Sequence, residues 1–541
     1  MKLIIIGGVA AGASAAVKAR RTSEDWEIVI YEKGDYISYA NCGMPYYIGN
    51  VIKNREDLLV VTPEYLKRRF NIEVRTKHEV LKIQHEQKKI IIKDISSGGV
   101  FEDKYDKLII ATGAIPVIPD SIKGERVFSL YTLSDMDRIK RFIDENRPQK
   151  AIILGGGFIG IEMAENLKKL GVHVTIVEKM PQILSPFDVE MAQIVKLKLL
   201  KSGINVITGV GVEKIDGKTA FLENGMSVDF DIAIASLGVK PNSKLALEAG
   251  ISLGLRDSIK VNKFMETSIK DILAAGDAVE NFYRINNEPT WIPLAGSANK
   301  QGRIAGYNAV SQNKKEYKGT LGTAIAKFEN CVFATTGFNE RKILQEGSDY
   351  ICFYLVSEDH ADYYPGSKTM YIKVIGDKKG RILGAQIVGE EGVDKRIDVF
   401  ASAIYAGLTF EDLESLDLAY APPFSSAKDP VIVAGMIGNN IIKGEMPALS
   451  KLDNSIKDAV IIDVRTKKEF EKGCFEGAVN IPIDEFRNKM EELDVYRGKR
   501  IIVNCATGYR SYIVTRQLLN RGFKDVYNLS GGYVIHGTKN E

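Results

Sequence analysis

An α/β fold class is predicted by one pattern that occurs three times: a short apolar strand, a glycine-bearing turn and a helical stretch. Leu3-Ile4-Ile5-Ile6 leads into Gly7-Gly8-Val9-Ala10-Ala11-Gly12 and an alanine-rich helix from Ala13. About 150 residues later Ala151-Ile152-Ile153-Leu154 leads into Gly155-Gly156-Gly157-Phe158-Ile159-Gly160. Near the end, Ile501-Ile502-Val503-Asn504 leads into Cys505-Ala506-Thr507-Gly508-Tyr509-Arg510-Ser511 and another helical stretch.

The first two turns have the geometry that aims a helix N-terminus and its free N–H groups at a pyrophosphate. Gly7, Gly8, Ala11 and Gly12 form the first, with Val9 where G-x-G-x-x-G has its middle glycine. The next strand run, Ile28-Val29-Ile30-Tyr31, ends in Glu32 and Lys33, and Glu32 stands twenty residues after Gly12, where an acid accepts hydrogen bonds from a ribose. The second turn is complete through Gly155, Gly157 and Gly160, and its following strand, Val174-Thr175-Ile176-Val177, ends in Glu178. Two such units imply two dinucleotides. Glu178 would bond the free 2′-hydroxyl of NADH and repel the 2′-phosphate of NADPH, although Lys179 beside it leaves room for use of both.

Two further runs, Leu108-Ile109-Ile110-Ala111-Thr112-Gly113-Ala114 and Ile272-Leu273-Ala274-Ala275-Gly276-Asp277-Ala278, resemble the A-T-G and G-D signatures of two-dinucleotide flavoproteins. The resemblance implies that Thr112, Gly113, Gly276 and Asp277 serve a flavin, with Asp277 at its ribityl chain. FAD then belongs to the first unit and NAD(P)H to the second.

Cys42 sits in Ser38-Tyr39-Ala40-Asn41-Cys42-Gly43-Met44-Pro45-Tyr46-Tyr47. A paired C-x4-C motif would close an internal disulfide, but Tyr47 occupies the fifth position after Cys42, so an oxidised partner must come from outside. A mixed disulfide, a persulfide or a sulfenic acid on one cysteine is the expectation. With these motifs together, the chain resembles the pyridine nucleotide-disulfide oxidoreductases through roughly its first 445 residues, and within them the single-cysteine branch of coenzyme A-disulfide reductases, persulfide reductases, NADH oxidases and NADH peroxidases. The resemblance implies a split FAD domain (1–115 and 245–320), an NAD(P)H domain (120–243) and an α+β dimerisation domain (322–445). It also implies a homodimer whose active site is shared across the interface.

His360-Ala361-Asp362-Tyr363-Tyr364-Pro365-Gly366 and Tyr420-Ala421-Pro422-Pro423-Phe424-Ser425-Ser426-Ala427-Lys428-Asp429-Pro430 resemble the segments that coenzyme A-disulfide reductases place over the partner's cysteine. Tyr363 and Tyr420 carry over as phenols able to bond a leaving thiolate. Coenzyme A carries phosphates and needs cationic and hydroxyl donors. Ser14, Lys18 and Arg21 stand at spacings of four and three along the first helix, on one face. By resemblance Ser14, Lys18, Arg21, Ser38, Asn41 and Lys428 contact coenzyme A, with Lys18 and Phe70 departing from residues seen in relatives.

Beyond about Lys451 a second module begins. Ile461-Ile462-Asp463-Val464-Arg465, Glu469-Phe470-Glu471-Lys472-Gly473, Gly477-Ala478-Val479-Asn480-Ile481-Pro482 and the Cys505 loop together resemble a rhodanese domain (452–541). The run from Cys505 to Arg510 matches the length of a sulfurtransferase loop better than that of the related phosphatases. Cys505 is expected to be an activated thiolate carrying sulfane sulfur, and Arg510 to orient the loop or the donor. Cys474 replaces a common His of that family and reads as an inert substitution; Cys331 and Cys352 read as core residues.

Composition agrees. A chain of 541 residues with 45% hydrophobic and 26% charged residues suffices for three or four domains, and a net charge of +3 gives no argument for nucleic acid or membrane binding. No apolar run is long enough to span a bilayer, and five cysteines without disulfide or zinc spacing point to a reducing cytoplasm and no metal. The expected activity is reduction by NADH, through FAD, of coenzyme A persulfide, polysulfide or coenzyme A disulfide at Cys42, with Cys505 handling sulfane sulfur. Two alternatives stay open: an NADH oxidase or peroxidase in which Cys42 cycles through a sulfenic acid, and a non-catalytic redox-sensing sulfur carrier.

Overall fold

The isoleucine-rich runs become the centres of two parallel sheets. The chain, described over residues 1–452, 456 and 458–537 in a computed structural model, divides into two units, residues 1–183 with 199–322 and residues 184–198 with 323–541. The first sheet has the spatial order Ile272–Ala274, Lys107–Ile110, Lys2–Ile6, Glu27–Tyr31, Glu73–Arg75. Ile4 pairs with Val29 on one side and Leu108 on the other. Leu3, Ile4 and Ile5 are wholly buried, since a parallel sheet is covered on both faces, and for that reason the run does not alternate with polar residues. The second sheet repeats the scheme with Asn205–Thr208, His173–Glu178, Lys150–Leu154, Ile232–Ala235 and Val127–Phe128. Each sheet's domain also contains a three-stranded antiparallel ladder, His78–Gln84 with Lys89–Asp94 and Val100–Lys104, and Val212–Asp216 with Thr219–Leu222 and Ser227–Asp229. The repeat read in two turns therefore extends through two domains.

The alanines of the first helix, Ala10–Arg20, have a tertiary reason. A Cβ on Gly302 would lie 2.2 Å from the carbonyl oxygen of Ala11, and one on Gly306 2.1 Å from that of Ala15. Helix Ala295–Val310 thus lies backbone to backbone against the first helix.

The second unit holds two sheets. One is antiparallel, in the order Ala324–Phe328, Cys331–Gly337, Ile382–Gly389, Thr369–Asp377, Tyr350–Glu358, accompanied by helices Val393–Ala406 and Pro430–Ile442. The other is parallel, in the order Ala448–Leu449, Val526–Leu529, Ile501–Asn504, Val460–Asp463, Val479–Asn480. Ala448–Leu449, ahead of the point near Lys451 where the sequence places the start of the second module, is an edge strand paired to Asn528 and Leu529. Residues 453–455, 457 and 538–541 of the predicted C-terminal module lie outside the described residues. The fold class is α/β: two Rossmann-like domains in the first unit, and an α+β domain and a C-terminal α/β domain in the second.

The C-terminal sheet is anchored to the antiparallel one. Ser530 Oγ accepts from the Tyr354 N–H at 2.7 Å and donates to the Tyr354 carbonyl at 3.1 Å, while His536 packs edge-on against the Tyr354 ring at 5.6 Å. Beside this contact Lys373, fully buried, places Nζ 2.5 Å from Glu340 Oε2, 3.0 Å from Asp188 Oδ2 and 3.3 Å from Glu190 Oε2. Lys451, ahead of the C-terminal module, reaches the same Glu340 oxygen at 3.0 Å. Removing the central cation strands its carboxylates. Lys373→Met is expected to lower the melting temperature of the second unit by roughly 10 °C in scanning calorimetry, the scale set by breaking a buried ion pair.

Candidate active site

Both glycine turns are fixed by lack of space. Gly7 has φ +96°, and a Cβ there would meet the Ala111 carbonyl oxygen at 2.3 Å; one on Gly12 would meet the Gly7 oxygen at 1.8 Å. Gly155 (φ +106°) and Gly160 repeat this against the oxygens of Ser236 and Gly155, at 2.4 and 2.2 Å. The strand hydrogen bonds match as well, Gly7 N to Tyr31 O and Gly155 N to Val177 O, both 2.8 Å. Val9 therefore leaves the first turn intact. Gly157 is different: nothing lies within 4 Å of a Cβ built on it. Its missing side chain leaves open the space over the N-terminus of helix Phe158–Lys169, the cradle a pyrophosphate fills.

Each acid closes onto its own turn. Glu32 accepts from Gly8 N at 2.8 Å and Gly34 N at 2.7 Å; Glu178 accepts from Gly156 N at 2.7 Å and Met180 N at 2.8 Å. Lys33 is exposed, and Lys179 is paired to Glu223 at 2.7 Å. Thr112 and Gly113 are tied to Asn242, through Thr112 Oγ1 to Asn242 O at 2.7 Å and Asn242 N to Gly113 O at 2.9 Å. Gly276 N donates to Gln301 Oε1 at 2.8 Å. Burial alone pushes the Asp277 carboxyl up to about 6, leaving an acid in need of a hydroxyl partner such as a ribityl chain would bring. These residues fit two dinucleotides.

Cys42 is exposed, in the 3₁₀ turn Asn41–Gly43 before the short helix Met44–Ile48. Partial burial, then the negative charges of Glu162 and Asp277, raise its thiol above the ordinary value. Glu162 was not singled out from sequence. It lies two residues beyond Gly160, accepts from Tyr46 Oη at 3.3 Å, and is pushed up to about 7 by burial and by Glu165. An acid set among Phe158, Ile159, Ile161 and Met163 at the start of the dinucleotide helix was the available signal.

Ser14 donates to Asn299 Oδ1 at 2.6 Å. Lys18 lies over the Tyr307 ring at 5.2 Å, with Lys315 on the same ring at 4.4 Å. Desolvation, then the charges of Lys315, Arg303 and Arg21, lower the Lys18 ammonium. The predicted pair Lys18 and Arg21 thus belongs to a larger cationic patch that sequence spacing missed, because Arg303 and Lys315 come from the second helix of the backbone-to-backbone pair and the loop after it. Ser38 holds a left-handed φ of +46° and donates its N–H to Gly8 O at 3.0 Å; Asn41 Nδ2 donates to Tyr131 O at 3.1 Å. Phe70 packs into the first core instead of offering charge.

In the second unit Tyr363 and Tyr420 meet, Oη to Oη 2.9 Å, and both are exposed. This bond raises the Tyr363 phenol. Both loops are held by buried Arg396, whose Nη2 donates to Asp359 O (2.8 Å), Phe424 O (3.3 Å), Ser425 Oγ (3.1 Å) and Asp429 Oδ2 (3.0 Å). Lys428 is exposed beside Asp429.

Cys505 ends strand Ile501–Asn504 and is wholly buried. Its Sγ accepts from Gly508 N at 3.1 Å and lies 3.3 Å from Ser511 Oγ. Gly532 (φ +56°) backs the loop: a Cβ there would meet Cys505 O at 2.4 Å, and Tyr533 N donates to that oxygen at 2.8 Å. Arg510 forks onto Glu469 at 2.9 and 2.6 Å. Cys474 is exposed, while Cys331 and Cys352 are buried, burial pushing Cys331 up to about 11. Among the described residues no three His, Cys, Asp or Glu side chains gather as a metal site, and no helix is long and apolar enough to cross a membrane.

Two Rossmann-like domains with paired glycine cradles define a flavin- and nucleotide-linked redox protein, to which a further α/β domain with a buried cysteine in its loop is joined. Family models for the pyridine nucleotide-disulphide oxidoreductases match residues 1–302, for the dimerisation domain of that family residues 323–431, and for the rhodanese-like domain residues 448–534. The chain belongs to the pyridine nucleotide-disulphide oxidoreductases and carries a C-terminal rhodanese-like domain. It is 35% identical over 435 residues to the coenzyme A disulfide reductase of Staphylococcus haemolyticus, spanning 80% of this chain and 98% of that one. It superposes with a TM-score of 0.96 on reduced CoADR-RHD of Bacillus anthracis, 42% identical, covering 99% and 98% of the two chains. A NAD-dependent persulfide reductase from A. fulgidus gives 0.92 at 37% identity, covering 99% and 100%. The family implies FAD and NAD(H), and the dimerisation domain a homodimer.

The cradles separate two kinds of glycine. Gly12→Ala, without room, is expected to lower the melting temperature of the purified protein. Gly157→Val, with room, is expected to keep the melting temperature and weaken NADH on the order of tenfold or more by fluorescence titration, the scale of losing one charge-assisted contact.

Proposed function

We propose that this chain is a homodimeric NADH-dependent flavoprotein reductase of coenzyme A persulfide, polysulfide or coenzyme A disulfide, acting through Cys42, with sulfane sulfur handled at Cys505. One observation carries the reading: an exposed cysteine with no second cysteine in the ten residues after it stands in the first dinucleotide domain, with an acid of raised pKa acting on it. Gly7, Gly8, Ala11, Gly12, Glu32, Lys33, Thr112, Gly113, Gly276 and Asp277 would hold FAD; Gly155, Gly157, Gly160 and Glu178 would hold NADH. A carboxylate fixed at Glu178, with its neighbouring lysine already paired, favours a free 2′-hydroxyl over a phosphate.

When bound, the nucleotides supply a hydride and an electron pair for sulfur. In the chain, the bond between Cys42 Sγ and the external sulfur breaks, the carrier leaves as thiol or hydrosulfide, and Cys42 returns to its reduced form. Glu162 is the group able to keep a proton for these sulfurs near neutral pH. Tyr363 and Tyr420 of one protomer would donate to the thiolate leaving the partner's cysteine. Ser14, Lys18, Arg21, Ser38, Asn41 and Lys428 would hold the carrier, and Arg303 and Lys315 extend the patch that meets its phosphates.

Anaerobic NADH oxidation with coenzyme A disulfide and with coenzyme A persulfide, scoring hydrosulfide, tests the reading. Cys42→Ser is expected to abolish turnover of both; full turnover in that variant would sink it. The sign of the pH dependence follows from Glu162, whose neutral form predominates below about 7. Turnover limited by its proton should fall as pH rises through about 7, and Glu162→Gln should lose that inflection in a kcat profile.

A further inference from the structure

The loop around Cys505 contains one cation, Arg510, and that cation is already matched. Its two Nη atoms meet the two oxygens of Glu469 at 2.9 and 2.6 Å. Glu469 is fixed in turn: Oε2 accepts from Thr466 N at 3.0 Å and Thr466 Oγ1 at 2.8 Å, the capping box of helix Lys467–Glu471. The Arg510 pairing holds the Glu469 carboxyl down at about 2, so it stays ionised at working pH. Arg510 senses the Cys505 sulfur as well, which adds to the influences raising the guanidinium. Cys505 Sγ accepts from Gly508 N at 3.1 Å and lies 3.3 Å from Ser511 Oγ, whose one proton goes to Asn528 Oδ1 at 2.6 Å. With Glu469 cancelling Arg510, a thiolate on Cys505 leaves the mouth of the loop with a net negative charge.

Resting on the sulfurtransferase reading of Cys505, we propose that Glu469 selects the class of sulfur donor: the loop loads from an organic persulfide, whose reacting end is neutral or singly charged, and turns away the thiosulfate dianion. Specificity of this kind is achieved by placing a repulsive charge against the wrong partner. In loading, the Cys505 thiolate attacks the outer sulfur of R–S–SH and a new S–S bond forms. The donor's S–S bond breaks with its electron pair going to the carrier sulfur, which takes the proton and leaves as R–SH. Cys505–S–S⁻ remains. The same attack on thiosulfate would expel sulfite and bring two negative charges past Glu469.

The test uses the full-length holoprotein without NADH, mixed with thiosulfate or with the uncharged carrier persulfide of N-acetylcysteamine. Samples are quenched over time, and the sulfur gained by the peptide bearing Cys505 is read by mass spectrometry. Wild type is expected to load from the persulfide far faster than from thiosulfate. Glu469→Gln, which keeps an acceptor for Thr466, is expected to raise the thiosulfate rate relative to the persulfide rate by about tenfold, the scale of removing one partly screened charge at contact distance. An unchanged or lower ratio in Glu469→Gln, in protein that melts like wild type, overturns the proposal. So does wild-type loading from thiosulfate as fast as from the persulfide, whatever the variant does. Loading from neither donor in wild type would instead overturn the sulfurtransferase reading itself, and this proposal with it.

Discussion

Between Gly7 and Gly12 there is no room for a side chain on either residue, and the sulfur site of the first unit hangs from that close approach. Gly7 takes a left-handed φ of +96° so that the chain can leave the central strand and turn straight into the helix. Gly8 then offers its N–H to Glu32 and its carbonyl to the N–H of Ser38, at 2.8 and 3.0 Å. Ser38 in turn accepts from Val60 N at 2.9 Å, bracing the segment that carries Cys42. The glycine turn, Glu32 and the segment bearing Cys42 form one hydrogen-bonded assembly. Burying parallel strands on both faces is what lets so tight a turn persist, since the strands on either side cannot shift.

Cys42 and Cys505 sit in opposite settings. Cys42 is exposed, and partial burial followed by the charges of Glu162 and Asp277 raises its thiol. Cys505 is wholly buried, with the Gly508 N–H donating to its sulfur, the Ser511 hydroxyl beside it, and Arg510 of the same loop paired to Glu469. The Gly532 backbone behind the second loop holds it rigid, and Ser530 ties that same turn to Tyr354 in the antiparallel sheet. The rhodanese-like domain is therefore seated by specific hydrogen bonds at the turn that supports its reactive loop.

Arg396 plays for the tyrosine loops the part that close backbone approach plays for the glycine turns. One buried guanidinium spends its donors on both loops, and Asp429 compensates its charge while capping helix Pro430–Ile442. Fixing two loops from one planar fork costs less side-chain entropy than two separate contacts would. The exposed phenols are then free to meet at 2.9 Å on a surface otherwise open to solvent.

The chain by itself determined what depends on neighbours in sequence. The glycine turns, Glu32 and Glu178 at strand ends, the solitary Cys42 and the run from Cys505 to Arg510 are legible because strand, turn and helix fix their geometry over a few tens of residues. Tertiary structure alone decided the rest. Gly302 and Gly306 looked like ordinary helix residues until Ala11 and Ala15 were found against them. Glu162 gained its raised pKa from burial and from Glu165, and its hydrogen bond comes from Tyr46, 116 residues away in the chain. Arg303 and Lys315 joined Lys18 only because two helices touch, and Arg396 and Glu469 acquired their roles from partners about thirty to forty residues away. Charge, desolvation and hydrogen-bond direction depend on distances in space, and chain spacing constrains those distances only within a single turn, strand or helix.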